Sequence, residues 1–166
     1  RIKAAKKKAK RGMLVVISEG VFVTDENGKA SFKTPAEPVL WSPENPKLYA
    51  VNISSETDTV EDRIGFRTIE TRGTQIVLNG EPVFCKGICI HEEMPYAPSG
   101  RVTTEEQART LLTWAKELGC NFVRLAHYPH HEIMVKVAEE MGIMVWDEIP
   151  VYWTIHWENP DTYANA

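Results

Sequence analysis

Two rhythms of hydrophobic residues divide the chain. Before Thr74 they fall in short runs or alternate with polar residues: Met13-Leu14-Val15-Val16-Ile17, Val21-Phe22-Val23, Ala30-Ser31-Phe32, Leu48 to Ile53 and Ile64 to Ile69. Stretches of this kind, rich in β-branched and aromatic residues and with period two where one face is buried, predict about five strands. Asp25-Glu26-Asn27-Gly28 predicts a turn between two of them. The prolines of the segment Pro38 to Tyr49 rule out a helix and leave an extended crossing. Roughly five strands fall short of the seven of a complete immunoglobulin-like sandwich, so one side is expected to be missing.

After Thr74 the period changes. Gln75 to Phe84 reads as a hairpin whose Asn79-Gly80 turn supplies two positive φ angles, and Val83 to Ile90 reads as a buried strand. Thr103 and Glu106 form a capping box for a helix with Ala108, Leu111, Leu112, Ala115 and Leu118 on one face, closed by Gly119. Phe122 to Ala126 is the next strand. It is followed by a helix burying Ile133, Met134, Val137, Ala138 and Met141, by Gly142, and by a strand over Ile143 to Trp146. Strands alternating with helices at this pitch predict βαβ units and a parallel sheet.

Composition narrows the classes. With 166 residues, 43% hydrophobic and 25% charged, collagen, coiled coil and wholesale disorder are excluded. No apolar run approaches the ~20 residues that cross a bilayer, and no leader with a cleavage site opens the chain. The start at Arg1, without methionine, and the loop-like stretch at Ala166 lead us to expect a piece of a larger protein whose leader is not visible. Arg1, Lys3, Lys6, Lys7, Lys8, Lys10 and Arg11 precede any acid; taking those seven from nineteen leaves twelve bases against twenty-three acids. An acidic body is a poor partner for nucleic acid, and the basic run is read as a solvated edge or loop, with a polyanion-binding arm as the alternative. Cys85, Cys89 and Cys120 have no metal-site spacing, and two of them lie in apolar strand-like surroundings that predict burial.

In parallel-sheet architectures ligands lie at the carboxyl ends of the strands. Here those ends carry His91 and Glu92, then His127-Tyr128-Pro129, then Asp147 and Glu148. Arg124 lies within an otherwise apolar strand, and a guanidinium cannot shed its charge, so a nearby buried carboxylate is predicted. That pairing is either structural or a means of holding a catalytic carboxylate ionised. His127, His130, His131 and Glu132 lack the spacing of a helical metal pair and are read as solvated loop residues. Trp146, Tyr152, Trp153 and Trp157 crowd the stretch after the third strand, where their faces either stack on a sugar ring or pack the loop on its own core.

The run Asn121-Phe122-Val123-Arg124-Leu125-Ala126-His127-Tyr128-Pro129, followed by Gly142 and Ile143-Met144-Val145-Trp146-Asp147-Glu148, resembles glycoside hydrolase family 2. Leu40-Trp41-Ser42-Pro43, Ile64-Gly65-Phe66-Arg67, Leu78-Asn79-Gly80 and Lys86-Gly87 leading to His91-Glu92 stand in that family's order. Leu125, where the family prefers a small residue, and Glu139, where it usually has aspartate, depart from the pattern.

The resemblance implies a multidomain β plus α/β chain: the C-terminal part of an immunoglobulin-like sandwich over residues 1–72, then the first three βα units of a TIM (β/α)8 barrel over 73–166. It implies part of a retaining exo-β-glycosidase acting on terminal β-linked sugars, a β-galactosidase first and a β-glucuronidase second. A non-catalytic carbohydrate-binding module is the reading from another class. His91, Glu92, Arg124, His127, Asp147, Glu148 and Trp153 are the expected substrate-binding or supporting residues, with His91 and His127 at sugar contacts and Arg124 against the nucleophilic glutamate. Both reacting carboxylates are expected beyond Ala166. No cofactor is expected: relatives that bind magnesium carry a further Glu and His where this chain reads Val151-Tyr152-Trp153-Thr154-Ile155-His156. The expected partners are a carbohydrate and, for the parent, further copies of itself, with neither nucleic acid nor membrane. A bacterial cytoplasmic or periplasmic location is implied.

Overall fold

The computed structural model describes residues 14–17, 20–31, 37–55, 57–151 and 155–165. The chain divides into two compact units, residues 1–39 with 48–66, and residues 40–47 with 67–166. In the first, β1 (Leu14–Ile17), β2 (Gly20–Val23), β3 (Tyr49–Ser54) and β4 (Thr59–Ile64) form an antiparallel sheet in the order β2-β1-β3-β4. The expected turn is present, with the Asp25 carboxylate accepting from the N–H groups of Asn27 and Lys29 at 2.8 and 2.9 Å. Ala30 and Ser31 beyond it are not strand, contrary to expectation, and Phe32 lies outside the described residues. The strand expected over 64–69 is also corrected. β4 pairs with β3 from Thr59 to Ile64, and β3 begins at Tyr49, opposite Ile64, so the ladder ends there, while Ile69 pairs with Leu78 instead.

The second unit opens with β5 (Ile69–Arg72), β6 (Gln75–Leu78) and β7 (Glu81–Val83), an antiparallel sheet with β6 central. Asn79 and Gly80 take φ of 54° and 87°, the conformation the two-residue turn demands. Residues 40–47, which the sequence grouped with the sandwich, belong here because Trp41 is buried in this unit. Its indole N–H donates to the Glu139 carbonyl at 2.8 Å, and its own carbonyl accepts from Asn79 Nδ2 at 2.9 Å. The Arg67 guanidinium lies 4.8 Å over the indole and donates to Glu139 Oε1 at 2.8 Å.

Next come β8 (Gly87–Ile90), α1 (Glu105–Glu117), β9 (Phe122–Leu125), α2 (Glu132–Glu140), β10 (Met144–Asp147) and the short α3 (Pro160–Asn165). β8 and β10 both run parallel to β9, which lies between them. The single strand expected over Val83 to Ile90 is thus two. β7 completes a hairpin, whereas β8 pairs with β9, and Asn121 holds the switch by accepting from Lys86 N–H at 2.8 Å and donating to the Phe84 carbonyl at 3.0 Å.

The cap of α1 is one residue later than expected. Thr104 accepts from Gln107 N–H, and the Gln107 side chain reaches back past the cap to accept from Thr103 N–H at 2.9 Å, a variant of the capping box in which the return bond falls one residue before the N-cap. This register buries Ala108, Leu111, Leu112 and Ala115 and puts Leu118 at the C-cap, where it is exposed rather than buried. These side chains, with Val123 and Leu125 of β9 and Met134, Val137 and Ala138 of α2, make the core. Among the described residues no helix is long and apolar enough to cross a membrane.

Candidate functional site

Period-two alternation along β9 sorts its side chains. Val123 and Leu125 are fully buried in the helix-covered core. Arg124 must then point to the other face, and the sheet register sets Cys89 of β8 on one side of it and Trp146 of β10 on the other. Glu148, two residues past Trp146, continues that face beyond the strand end.

The guanidinium finds its carboxylate there. Arg124 Nε donates to Glu148 Oε1 at 2.6 Å and Nη2 donates to Oε2 at 3.2 Å, a bidentate pair. Arg124 Nη2 also lies 3.2 Å from His127 Nδ1. Arginine carries only donors, so a bare Nδ1 accepts in this contact and the ring proton is then on Nε2, whereas a proton on Nδ1 points instead to Glu148. Glu148 Oε2 stands 3.4 Å from the same Nδ1. Arg124 further donates to Cys89 Sγ at 3.7 Å. The His91 ring meets His127 edge-on, with centroids 5.3 Å apart, and lies 6.2 Å from the Tyr128 ring.

The charges follow from this geometry. Hydrogen bonding from Arg124 holds the Glu148 carboxyl below the usual carboxylate range against the opposing effect of partial burial, and the positive charge of Arg124 acts in the same direction. Hydrogen bonding to Glu148, and then to Cys89, holds the Arg124 guanidinium more firmly protonated still. The result is a fixed ionic pair with an imidazole against it, at the ends of three adjacent strands. Such a cluster presents hydrogen-bond donors and acceptors of set direction to a polyhydroxylated ligand, and it keeps one carboxylate ionised.

His91, Arg124, His127 and Glu148 are therefore brought together. Asp147 is not, because alternation gives it the face of Leu125, and its side chain is exposed. Glu92 is only 2% exposed and binds Arg101 and the backbone N–H of His131, away from this cluster. Trp153 and Tyr152 lie outside the described residues. His130, expected to be solvated, is buried: Nε2 donates to the Ala126 carbonyl at 2.9 Å and the ring stacks on Tyr128. His131 caps α2, its Nδ1 accepting from Ile133 N–H at 3.2 Å. Of the cysteines, Cys120 is buried while Cys89 is exposed beside Arg124. Sequence reasoning passed over Cys89 and Arg101. Period two from Arg124 with a known register would have found the first, and nothing local marks the second. Among the described residues no three His, Cys, Asp or Glu side chains converge as metal ligands.

Comparison with known proteins bears on this arrangement. Residues 69–163 match the family model described as glycosyl hydrolases family 2, TIM barrel domain, and residues 2–67 match that of glycosyl hydrolases family 2. A β-galactosidase of Arthrobacter sp. (strain B7) is 38% identical over 105 residues, 63% of this chain and 10% of that protein. A β-glucuronidase of Streptococcus agalactiae is 34% identical over 116 residues, 67% of this chain and 19% of its own length. A crystal structure of a GH2 β-galacturonidase from Eisenbergiella tayi bound to galacturonate superposes with a TM-score of 0.69 at 34% identity, covering 86% of this chain and 27% of that one. The chain thus spans about a fifth or less of the curated relatives named here.

Proposed function

Because the chain belongs to glycoside hydrolase family 2, we propose that the whole protein hydrolyses terminal β-linked sugars with retention and that this chain forms one wall of its sugar site. The observation that carries the reading is the convergence of His91, Arg124, His127 and Glu148 at the ends of three parallel strands, where βα loops build ligand sites. Retaining hydrolysis needs two carboxyl groups about 5–5.5 Å apart, one attacking the anomeric carbon and one acting as acid and then base. Glu148 is unsuited to the acid role, since Arg124 keeps it ionised, and we assign neither reacting carboxylate to this chain. In this reading His127 donates from Nε2 to a sugar hydroxyl, and Arg124 holds the orientation of that ring from behind.

The sugar is proposed to be a β-galactoside, with a uronide as the second reading because the superposed relative is a galacturonidase bound to galacturonate. A uronate needs a cation to meet its carboxylate. Among the described residues, Arg124 of this site and Arg101 beyond it are each already paired with a glutamate, so in this reading a uronide specificity draws its cation from elsewhere. Initial rates of the full-length protein on nitrophenyl β-galactoside, β-glucuronide and β-galacturonide test both statements. Turnover of the galactoside at least about tenfold above the uronides supports the first reading, the reverse order supports the second, and turnover of none removes the glycosidase reading.

A further inference from the structure

Glu92 is the most deeply buried carboxylate among the described residues, and it makes no contact with the Arg124–Glu148 pair. It follows His91 at the end of β8 and is 2% exposed. Its two oxygens are spent separately. One accepts from the backbone N–H of His131, the N-cap residue of α2, and the other from Arg101. These partners differ in kind: the His131 N–H is fixed in a helix terminus, where a negative charge is favoured, whereas the Arg101 side chain is 60% exposed and has water as an alternative partner. His131 ends the loop 127–131 that begins at His127. The same loop is fastened from inside by His130, which is buried, donates to the Ala126 carbonyl at 2.9 Å and stacks on Tyr128 with centroids 5.2 Å apart. The 127–131 loop is thus held at both ends, by His130 at its root and by Glu92 at its tip, and the Glu92 bond ties it to the residue next to His91.

We infer that Glu92 is a positioning residue, which sets the His91–His127 spacing by accepting the His131 N–H across the gap between the β8 end and α2. It touches neither sugar nor reacting atoms and acts through the two histidines. The inference rests on the proposed glycosidase reading for its kinetic consequence, but not for its geometric one. It separates reach from charge: the carboxylate is needed because it spans the distance to His131, and the ion pair with Arg101 is secondary.

Two conservative variants of the full-length enzyme divide these roles. Glu92→Gln keeps the length and an acceptor oxygen but loses the charge, and Arg101 can then turn to water. Glu92→Asp keeps the charge and withdraws the acceptor by one methylene. Glu92→Gln is expected to keep kcat within about threefold of wild type. Glu92→Asp should lower kcat about tenfold to a hundredfold, the scale of a small misplacement at a reacting site, with KM changed less than about twofold. Crystal structures should keep the His91–His127 centroid separation near 5.3 Å in the glutamine variant and widen it in the aspartate variant.

The inference is overturned if both variants keep wild-type kcat, if glutamine is the more damaging of the two, or if either fails to fold. The last result would make Glu92 a structural anchor of the unit. If the wild-type enzyme turns over no β-glycoside, the functional reading fails by itself; the ring separation in the two crystal structures then decides this inference alone.

Discussion

Gly119 and Gly142 offer a matched pair of substitutions. Each is the residue after a helix C-cap, with φ of 78° and 71°. Each closes the same double-bonded turn: Gly119 N–H to the Lys116 carbonyl and Cys120 N–H to Ala115, and Gly142 N–H to Glu139 and Ile143 N–H to Ala138. They differ in surroundings. A Cβ on Gly119 meets nothing within 4 Å, whereas a Cβ on Gly142 falls 2.4 Å from the Pro43 carbonyl oxygen and 3.1 Å from its carbon, in the segment that carries Trp41. Alanine in the left-handed region costs about 1–2 kcal/mol, partly offset by the ~0.4–1 kcal/mol that alanine gains by stiffening the unfolded chain. Gly119→Ala should therefore cost about 1 kcal/mol. Gly142→Ala carries the same cost and must also push backbone from 2.4 Å to an ordinary contact, an overpacking cost of about 1–3 kcal/mol. At roughly 3–5 °C per kcal/mol for a unit of this size, the expected Tm losses are about 3–5 °C and about 6–20 °C. Thermal unfolding of the two variants in the same polypeptide measures the difference, and trypsin cleavage after Lys47 reports directly on whether residues 40–47 lift off. Equal Tm values within about 2 °C, or unchanged cleavage in Gly142→Ala, would refute the close approach of Pro43.

His127→Ala in the full-length enzyme should lower kcat about thirty- to a thousandfold, the ~2–4 kcal/mol of a lost transition-state hydrogen bond, with a smaller effect on KM; an unchanged kcat/KM would remove it from the site. Glu148 has its pKa lowered in the folded state by Arg124, so its stabilising contribution is complete above the ordinary carboxylate range and is lost as pH falls below it. Arg124→Met should raise the Glu148 carboxyl toward its ordinary value, read by carbon-13 titration, and a titration unmoved by the substitution contradicts the pairing. Residues 1–166 alone should hydrolyse no β-glycoside, since neither reacting carboxylate is assigned here; turnover that survives removal of contaminating enzyme would contradict that assignment.

What could be read from the sequence follows from how local each determinant is. The Asn79-Gly80 turn, the Gly119 and Gly142 helix ends and the core faces of α1 and α2 depend on residues within a turn or two of each other, and their positions were legible. β4, by contrast, reads Thr59-Val60-Glu61-Asp62-Arg63-Ile64, a charged stretch without alternation that becomes a strand because β3 pairs with all of it. Pairing also ends it at Ile64, where hydrophobic pattern alone continues to Ile69. The split between β7 and β8 has the same origin, since a change of partner in the middle of an apolar run leaves no mark in composition. Trp41 is the clearest case: its segment lies before the last two strands of the first unit, yet its indole is bonded to a carbonyl at residue 139.

The site was legible to the extent that a strand end can be predicted, which gives a row of residues but not the face each one takes. Sequence named His91, Glu92, Arg124, His127, Asp147 and Glu148 together as neighbours of one mouth. Alternation divides adjacent pairs, so that Glu148 shares the face of Arg124 while Asp147 shares that of Leu125. The same argument applied at β8 sets His91, two residues past Cys89, on the Arg124 face and turns Glu92 inward, where it is buried. An acidic residue next to a site residue along a strand is therefore by default on the other side of the sheet. Its chemistry there is support rather than contact. That default makes Glu92, conspicuous in the sequence as a possible ligand for a sugar, a residue whose influence must pass through the loop it ties down.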